Sequence, residues 1–205
     1  MSKIALIHGF GAGINYSIFQ KTESSNAGFV AFDDLIAKEK AKVFDWRISR
    51  NLNLVQVLSV FPILKIYWQE KAKSQSEKIQ NQLKIFLESN QPKIIICHSM
   101  GAMLLFGHNY KLPISVKKIV LIQADISSNA KIPKNLQKLE IINYFCPWDN
   151  ALLGSNFLNL NIMAGQIGLK GATNIFFPLL LNNLNMHTFP LRSNKFFKKI
   201  EALLD

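Results

Sequence analysis

Arginine is almost missing from this chain: of its 24 basic residues only Arg47, Arg50 and Arg192 are arginines, and the rest are lysines. Acidic residues are scarce too, 13 against those 24, which leaves a formal net charge of +11. A nucleic-acid binder of that charge would gather arginine and aromatic residues on one face and carry a recognisable motif. Here the lysines are strewn along the chain, from Lys38, Lys40 and Lys42 to Lys195, Lys198 and Lys199. No nucleic-acid motif accompanies them. The charge reads as a solvated lysine-rich surface, and no nucleic-acid partner is expected. Contact with an anionic membrane surface is compatible with it without being required.

Cysteine is limited to Cys97 and Cys146, too few for a disulfide framework and in keeping with a reducing compartment. The amino-terminal Lys3-Ile4-Ala5-Leu6-Ile7 enters a strand pattern at once, without the charged and apolar regions of a secretory signal, so the expected location is the cytoplasm. The longest uncharged stretches, after Asp149 and after Lys170, are interrupted by Asn, Gly and Pro and do not read as membrane spans. Pro and Gly are not enriched, and neither low-complexity segments nor repeats occur. At 205 residues and 49% hydrophobic composition, residues 1–205 read as one globular domain.

Short continuous apolar runs have the character of strands buried on both faces, as in parallel sheets. They are Ile4 to His8, Lys42 to Trp46, Lys93 to His98, Lys118 to Ala124 and Leu139 to Phe145, with a weaker sixth at Thr173 to Phe177. Helical patterns lie between them. Ser74 to Ser89 spaces Ile79, Leu83, Phe86 and Leu87 on one face, and Ser74 with Glu77 matches a capping box. Met100 to Tyr110 is apolar nearly all round, and Asn194 to Leu204 is amphipathic with Ser193 as its expected N-cap. The alternation predicts an α/β fold, a three-layer sandwich with a mostly parallel central sheet of five to six strands and helices on both faces. Chemistry in such sheets sits beyond the carboxyl ends of the strands.

Two strand ends stand out. After Ile94-Ile95-Ile96 comes Cys97-His98-Ser99-Met100-Gly101, a Ser on the turn from a buried strand into an apolar helix, with small residues two positions to either side. Such a turn exposes the hydroxyl at the top of the sheet and aims the first amides of the helix at an oxyanion beside it. After the first strand comes His8-Gly9-Phe10-Gly11-Ala12-Gly13. A dinucleotide fingerprint fails there, because its third glycine would fall at Ile14 or Tyr16. The glycines at Gly165, Gly168 and Gly171 make no nucleotide motif either.

On these two segments the chain resembles the α/β-hydrolase superfamily, whose elbow reads Gly-x-Ser-x-Gly; Cys97 stands here in place of the first glycine. The resemblance implies a minimal α/β-hydrolase fold over nearly the whole chain, with Ser99 as nucleophile. It assigns the oxyanion-hole amides to Phe10 and Met100. The superfamily order is Ser, then acid, then His. Of the histidines that follow Ser99, His108 falls within the helix after the nucleophile, whereas His187 lies in a late loop before the final helix, where the superfamily puts its base. His98 reads as a packed elbow residue and His8 as a residue shaping the oxyanion loop. Asp149, after the penultimate strand, is the favoured acid, and Asp125, one strand earlier, is the alternative.

The implied activity is that of a serine hydrolase (carboxylesterase, lipase or thioesterase type) cleaving an ester or thioester through an acyl-enzyme, without metal or organic cofactor. Acyl transfer by the same residues and a non-catalytic binding protein of this fold are the alternatives. Residues 51–73 and 151–185 are rich in Leu, Phe and Ile and are expected either to cover the sheet or to form an apolar acyl pocket or small lid.

Overall fold

The structure, a computed structural model, describes residues 3–9, 14–16, 21–23, 27–46, 60–107, 111–178 and 187–202. Six strands form one all-parallel sheet: β1 (Ile4–Ile7), β4 (Ala41–Phe44), β5 (Ile94–His98), β6 (Lys118–Ile122), β7 (Glu140–Phe145) and β8 (Thr173–Phe176). Their order across the sheet is β4-β1-β5-β6-β7-β8. All six answer to runs legible in the sequence, including the weaker sixth. A separate antiparallel pair, β2 (Ile14–Tyr16) with β3 (Lys21–Glu23), was not anticipated, because its residues alternate too little to signal a strand.

The continuous apolar character of the strands follows from their position. Ala5, Ile7, Ile95, Cys97, Ile119 and Leu121 pack on one face, against helices that include α3 (Glu77–Asn90) and α4 (Gly101–Phe106). Ile4, Leu6, Ile94, Ile96, Val120 and Ile122 pack on the other, against Phe29, Phe32, Leu191 and the final helix α8 (Asn194–Glu201). A sheet with both faces covered has no use for alternating polar residues. The architecture is therefore α/β, with the sheet between two apolar layers.

Local signals fared unevenly. Ser193 caps α8 as expected, its hydroxyl accepting from the Phe196 amide at 3.2 Å. The Ser74–Glu77 capping box does not form. Helix α2 (Val60–Ser74) runs up to Ser74, whose hydroxyl donates back to the Lys71 carbonyl at 2.7 Å, and the residue before α3 is Ser76. The helix after Ser99 is described over Gly101–Phe106, and residues 108–110, His108 among them, lie outside the described residues. The remaining helices are α1 (Asp33–Ala37), α5 (Asn150–Asn159), α6 (Ala164–Ile167) and α7 (Phe189–Arg192). Of the two segments expected to form a lid or pocket, residues 60–73 belong to α2 and residues 151–178 to α5, α6 and β8; residues 51–59 and 179–185 lie outside the described residues.

Candidate functional site

Register brings the two informative strand ends together. Ile7 lies opposite Cys97, and His98 lies opposite Ile122, so His8-Gly9, Ser99 and Gln123 follow side by side at the carboxyl edge. Ser99 has φ 51°, a left-handed conformation rare for a residue with a β-carbon. Neighbours hold it there: its amide donates to the Ile122 carbonyl and its carbonyl accepts from the Asp125 amide, both at 3.0 Å.

The small residues around the turn have a measurable reason. A β-carbon on Gly101 would stand 2.6 Å from the carbonyl oxygens of both Ile7 and His8. One on Gly9 would stand 2.5 Å from the Ser99 β-carbon and 3.1 Å from its hydroxyl. The His8-Gly9 segment therefore passes directly against the candidate nucleophile. Cys97, by contrast, is fully buried in β5, and burial pushes its thiol far above the ordinary range, so it is no rival nucleophile. Met100 stands at the N-cap of α4, while Phe10 lies outside the described residues.

The structure pairs His187 with Asp149 rather than with Asp125. His187 Nδ1 lies 2.7 Å from Asp149 Oδ2. The same carboxylate caps α5, its Oδ1 accepting from the amides of Ala151 at 3.0 Å and Leu152 at 3.1 Å. Gln123 completes the set by donating to Oδ2 at 2.6 Å. The Asp149 side chain is wholly buried, so these four partners replace water around it.

Asp125 belongs to a different cluster. Ser155 donates to its Oδ1, and the Tyr67 hydroxyl donates to its Oδ2 at 3.3 Å. The Asn159 side-chain amide donates to the Tyr67 hydroxyl at 2.8 Å, and Lys71 donates to the side-chain oxygen Oδ1 of Asn159. Burial pushes the Asp125 carboxyl above its ordinary value, against the opposing pull of Ser155 and of nearby His187. Tyr67 is raised as well, first by burial and then by the Asp125 charge. This polar cluster fastens α2 to α5, and it means that the inner contact between the two presumed pocket segments is not apolar.

The two histidines read as supporting residues have definite partners. His8 Nε2 accepts from the Trp46 amide at 3.2 Å, which leaves the proton on Nδ1 to donate to the Gly9 carbonyl at 2.9 Å. Its ring also stacks on Trp46, with centroids 5.3 Å apart. His98 Nε2 lies 2.8 Å from the His187 carbonyl oxygen. A carbonyl can only accept, so Nε2 carries the proton, and Nδ1 is buried without a hydrogen-bond partner. Burial, followed by the charge of His187, holds His98 well below its ordinary value. His98 thus steadies the backbone of the loop that carries His187, with ring centroids 4.6 Å apart.

Ser99, His187 and Asp149 share one edge of the sheet, but among the described residues no hydrogen bond joins the Ser99 hydroxyl to the His187 ring. Gln123, Tyr67 and Ser155 escaped the sequence reading; a lone Gln, Tyr or Ser carries no spacing signal, and only Gln123's place after a strand hinted at it. A cavity of about 330 Å³ lined by Lys3, Lys40, Lys93 and Glu201 lies at the opposite, amino edge of the sheet and takes no part in this site. Among the described residues no group of three or more His, Cys, Asp or Glu comes together as a metal site, and no helix is long and apolar enough to cross a membrane. Compared with known proteins, the chain matches no family model, no curated protein and no solved structure.

Proposed function

We propose that this protein is a serine hydrolase of the α/β-hydrolase type, cleaving a carboxylic ester or thioester through an acyl-enzyme at Ser99. One observation carries the reading: a serine in a left-handed strand-to-helix turn and a His187–Asp149 pair 2.7 Å apart converge on the same sheet edge. The order of parts supports it: the glycine segment follows β1, the serine β5, the acid β7, and the histidine comes before the last helices.

In the reaction, Ser99 Oγ attacks the acyl carbonyl while its proton passes to His187 Nε2. Asp149 accepts from Nδ1–H, fixing the ring orientation and stabilising the imidazolium. The amides of Met100 and Phe10 receive the oxyanion. Collapse expels the alcohol or thiol, protonated by His187, and water then attacks the acyl-enzyme with the same histidine as base. The Ser99–His187 hydrogen bond is the contact that substrate has to complete, and such contacts often tighten only in the bound complex.

The test is covalent labelling by a fluorophosphonate probe, with folding followed by circular dichroism. The wild type is expected to label, Ser99→Ala to lose labelling entirely, and His187→Ala to lose most of it. A folded wild type that resists the probe would sink the reading. Cys97 at the usual glycine position favours the second reading, a binding protein of the same fold that does not turn substrate over. A panel of esters and thioesters of graded acyl length, each with a competing amine or alcohol, separates hydrolysis, acyl transfer and binding.

A further inference from the structure

Helix α5 buries Leu152 and packs Leu158 on the core, yet turns other large apolar side chains outward. Ser155 and Asn159 face the Tyr67–Asp125 cluster, whereas Leu153, Phe157 and Leu160, spaced i, i+4 and i+7, form a stripe in solvent. Phe157 is 82% exposed and Leu160 90% exposed. Ile162 and Ile167 are more than half exposed beside them, and together these five line an open groove of about 640 Å³. Scattered exposed leucines need no explanation, but five large apolar side chains gathered on one groove do.

The backbone sharpens the point. Leu160 closes α5 in a left-handed conformation, φ 51°, where glycine or asparagine is the usual occupant. A leucine there gives up local backbone preference for a side chain that packs against almost nothing within the chain. Strain without a packing return points to a surface with a use.

Charge indicates what covers it. Residues 150–169 contain no charged residue at all. The nearest acids, Asp149 and Asp125, are buried, so they present no negative charge to an approaching surface. The uncharged segment ends at Lys170, which is exposed. Lys170 donates its amide to the carbonyl of Ser128, which lines the groove. Exposed apolar side chains next to an exposed lysine, on a chain of net charge +11, suit the boundary between headgroups and acyl chains of an anionic bilayer. A second copy of the chain fits poorly, since each copy carries +11 and would be repelled by the other.

We infer that the outward face of α5, with Ile162 and Ile167, docks this protein on anionic phospholipid membranes. The docking does not depend on the catalytic reading. If both hold, it narrows the substrate to acyl esters presented at a bilayer, because Asp149 caps the same helix.

Co-sedimentation of the full chain with phosphatidylcholine vesicles, with and without phosphatidylglycerol, tests this. The wild type should bind the phosphatidylglycerol vesicles, bind the neutral ones far less, and release as salt rises. Phe157→Ser with Leu160→Asn should weaken binding about tenfold or more, since it removes two large apolar groups from the contact. Asparagine suits the left-handed position, and thermal melting confirms that the variant is folded. Fluorophosphonate labelling without vesicles should be equal in both proteins. Three results overturn the inference: no binding to either vesicle, equal binding by the variant, or a wild-type dimer in sedimentation that the variant disperses. Vesicle binding by a protein that resists the probe would sink the catalytic reading alone.

Discussion

Ser99 holds a backbone conformation that costs about 1–3 kcal/mol for a residue with a β-carbon. The return is a hydroxyl presented at the sheet edge, and the cost is tolerable because the ends of β1 and β6 clamp the turn. Gly9 shows how tight the clamp is. In Gly9→Ala the new β-carbon would stand 2.5 Å from that of Ser99, so one of the two backbones has to move. We expect a destabilisation of about 1–3 kcal/mol in denaturant unfolding and a fall in probe labelling of about 100-fold. Gly154→Ala is the natural contrast. Nothing lies within 4 Å of its added carbon, and it sits inside α5. It should stabilise the protein by about 0.5–1 kcal/mol.

At the scale of elements, Asp149 performs two tasks that mutation can separate. Its Oδ1 caps α5 while its Oδ2 faces His187 and Gln123. Asparagine caps a helix about as well as aspartate but carries no negative charge for an imidazolium. With the Gln123 amide flipped and His187 turning a bare Nδ1 to the new NH2 group, Asp149→Asn should therefore unfold within about 0.5 kcal/mol of wild type while labelling slows by about 10³–10⁴-fold. Asp149→Ala should slow labelling similarly and also lose about 0.5–2 kcal/mol of stability by chemical denaturation. Equal labelling by the Asn variant and wild type would show that His187 does not rely on this carboxylate.

Element boundaries also explain why one sequence signal misled. Ser74, Ser76 and Glu77 all stand near a helix start, and the letters alone favoured Ser74 with Glu77. The end of α2 decided otherwise: Ser74 remains its last residue, bonded back to Lys71, and the next helix cannot begin until the chain has turned. Asp125 and Asp149 posed a similar choice, both acids following strands. Only the packing of α5 on α2 sends Asp125 to Tyr67 and Ser155, and leaves Asp149 free to meet the late loop.

For the molecule as a whole, two buried groups pull stability in opposite directions with pH. His98 is depressed in the fold, so the unfolded chain binds more protons below the ordinary value of 6.5. Its contribution is fully present above that pH and is lost as pH falls towards the folded value. Asp125 is raised in the fold from an ordinary 3.8. Its contribution is fully present below that pH and is lost as pH rises through the folded value. Where these two ranges overlap, inside 3.8 to 6.5, the slopes oppose each other, each at most about 1.4 kcal/mol per pH unit. Replacing one group should uncover the other. Asp125→Asn should steepen the gain in stability with rising pH across this window, and His98→Gln should reverse it towards a loss, both read from urea unfolding at successive pH values. Identical profiles for all three proteins would mean that neither group titrates differently on folding.

What the sequence determined by itself was the sheet. Strands buried on both faces need unbroken apolar runs, and lysines or turns bound each run, so six strand positions were legible without coordinates. The serine turn was legible for the same reason, since close backbone approach leaves its mark as small residues such as Gly101. What only the tertiary structure decided were the partners. Asp149 against Asp125, the buried link from Gln123, the support of the His187 loop by His98, and the outward apolar face of α5 all depend on residues distant in the chain. No local pattern encodes such contacts. The apolar richness of 151–185 left cover of the sheet, an acyl pocket and a small lid all open, because burial is the usual fate of leucine and phenylalanine. Packing set Ser155 and Asn159 inward with Leu152, against Tyr67 and Asp125, and left Leu153, Phe157 and Leu160 outside.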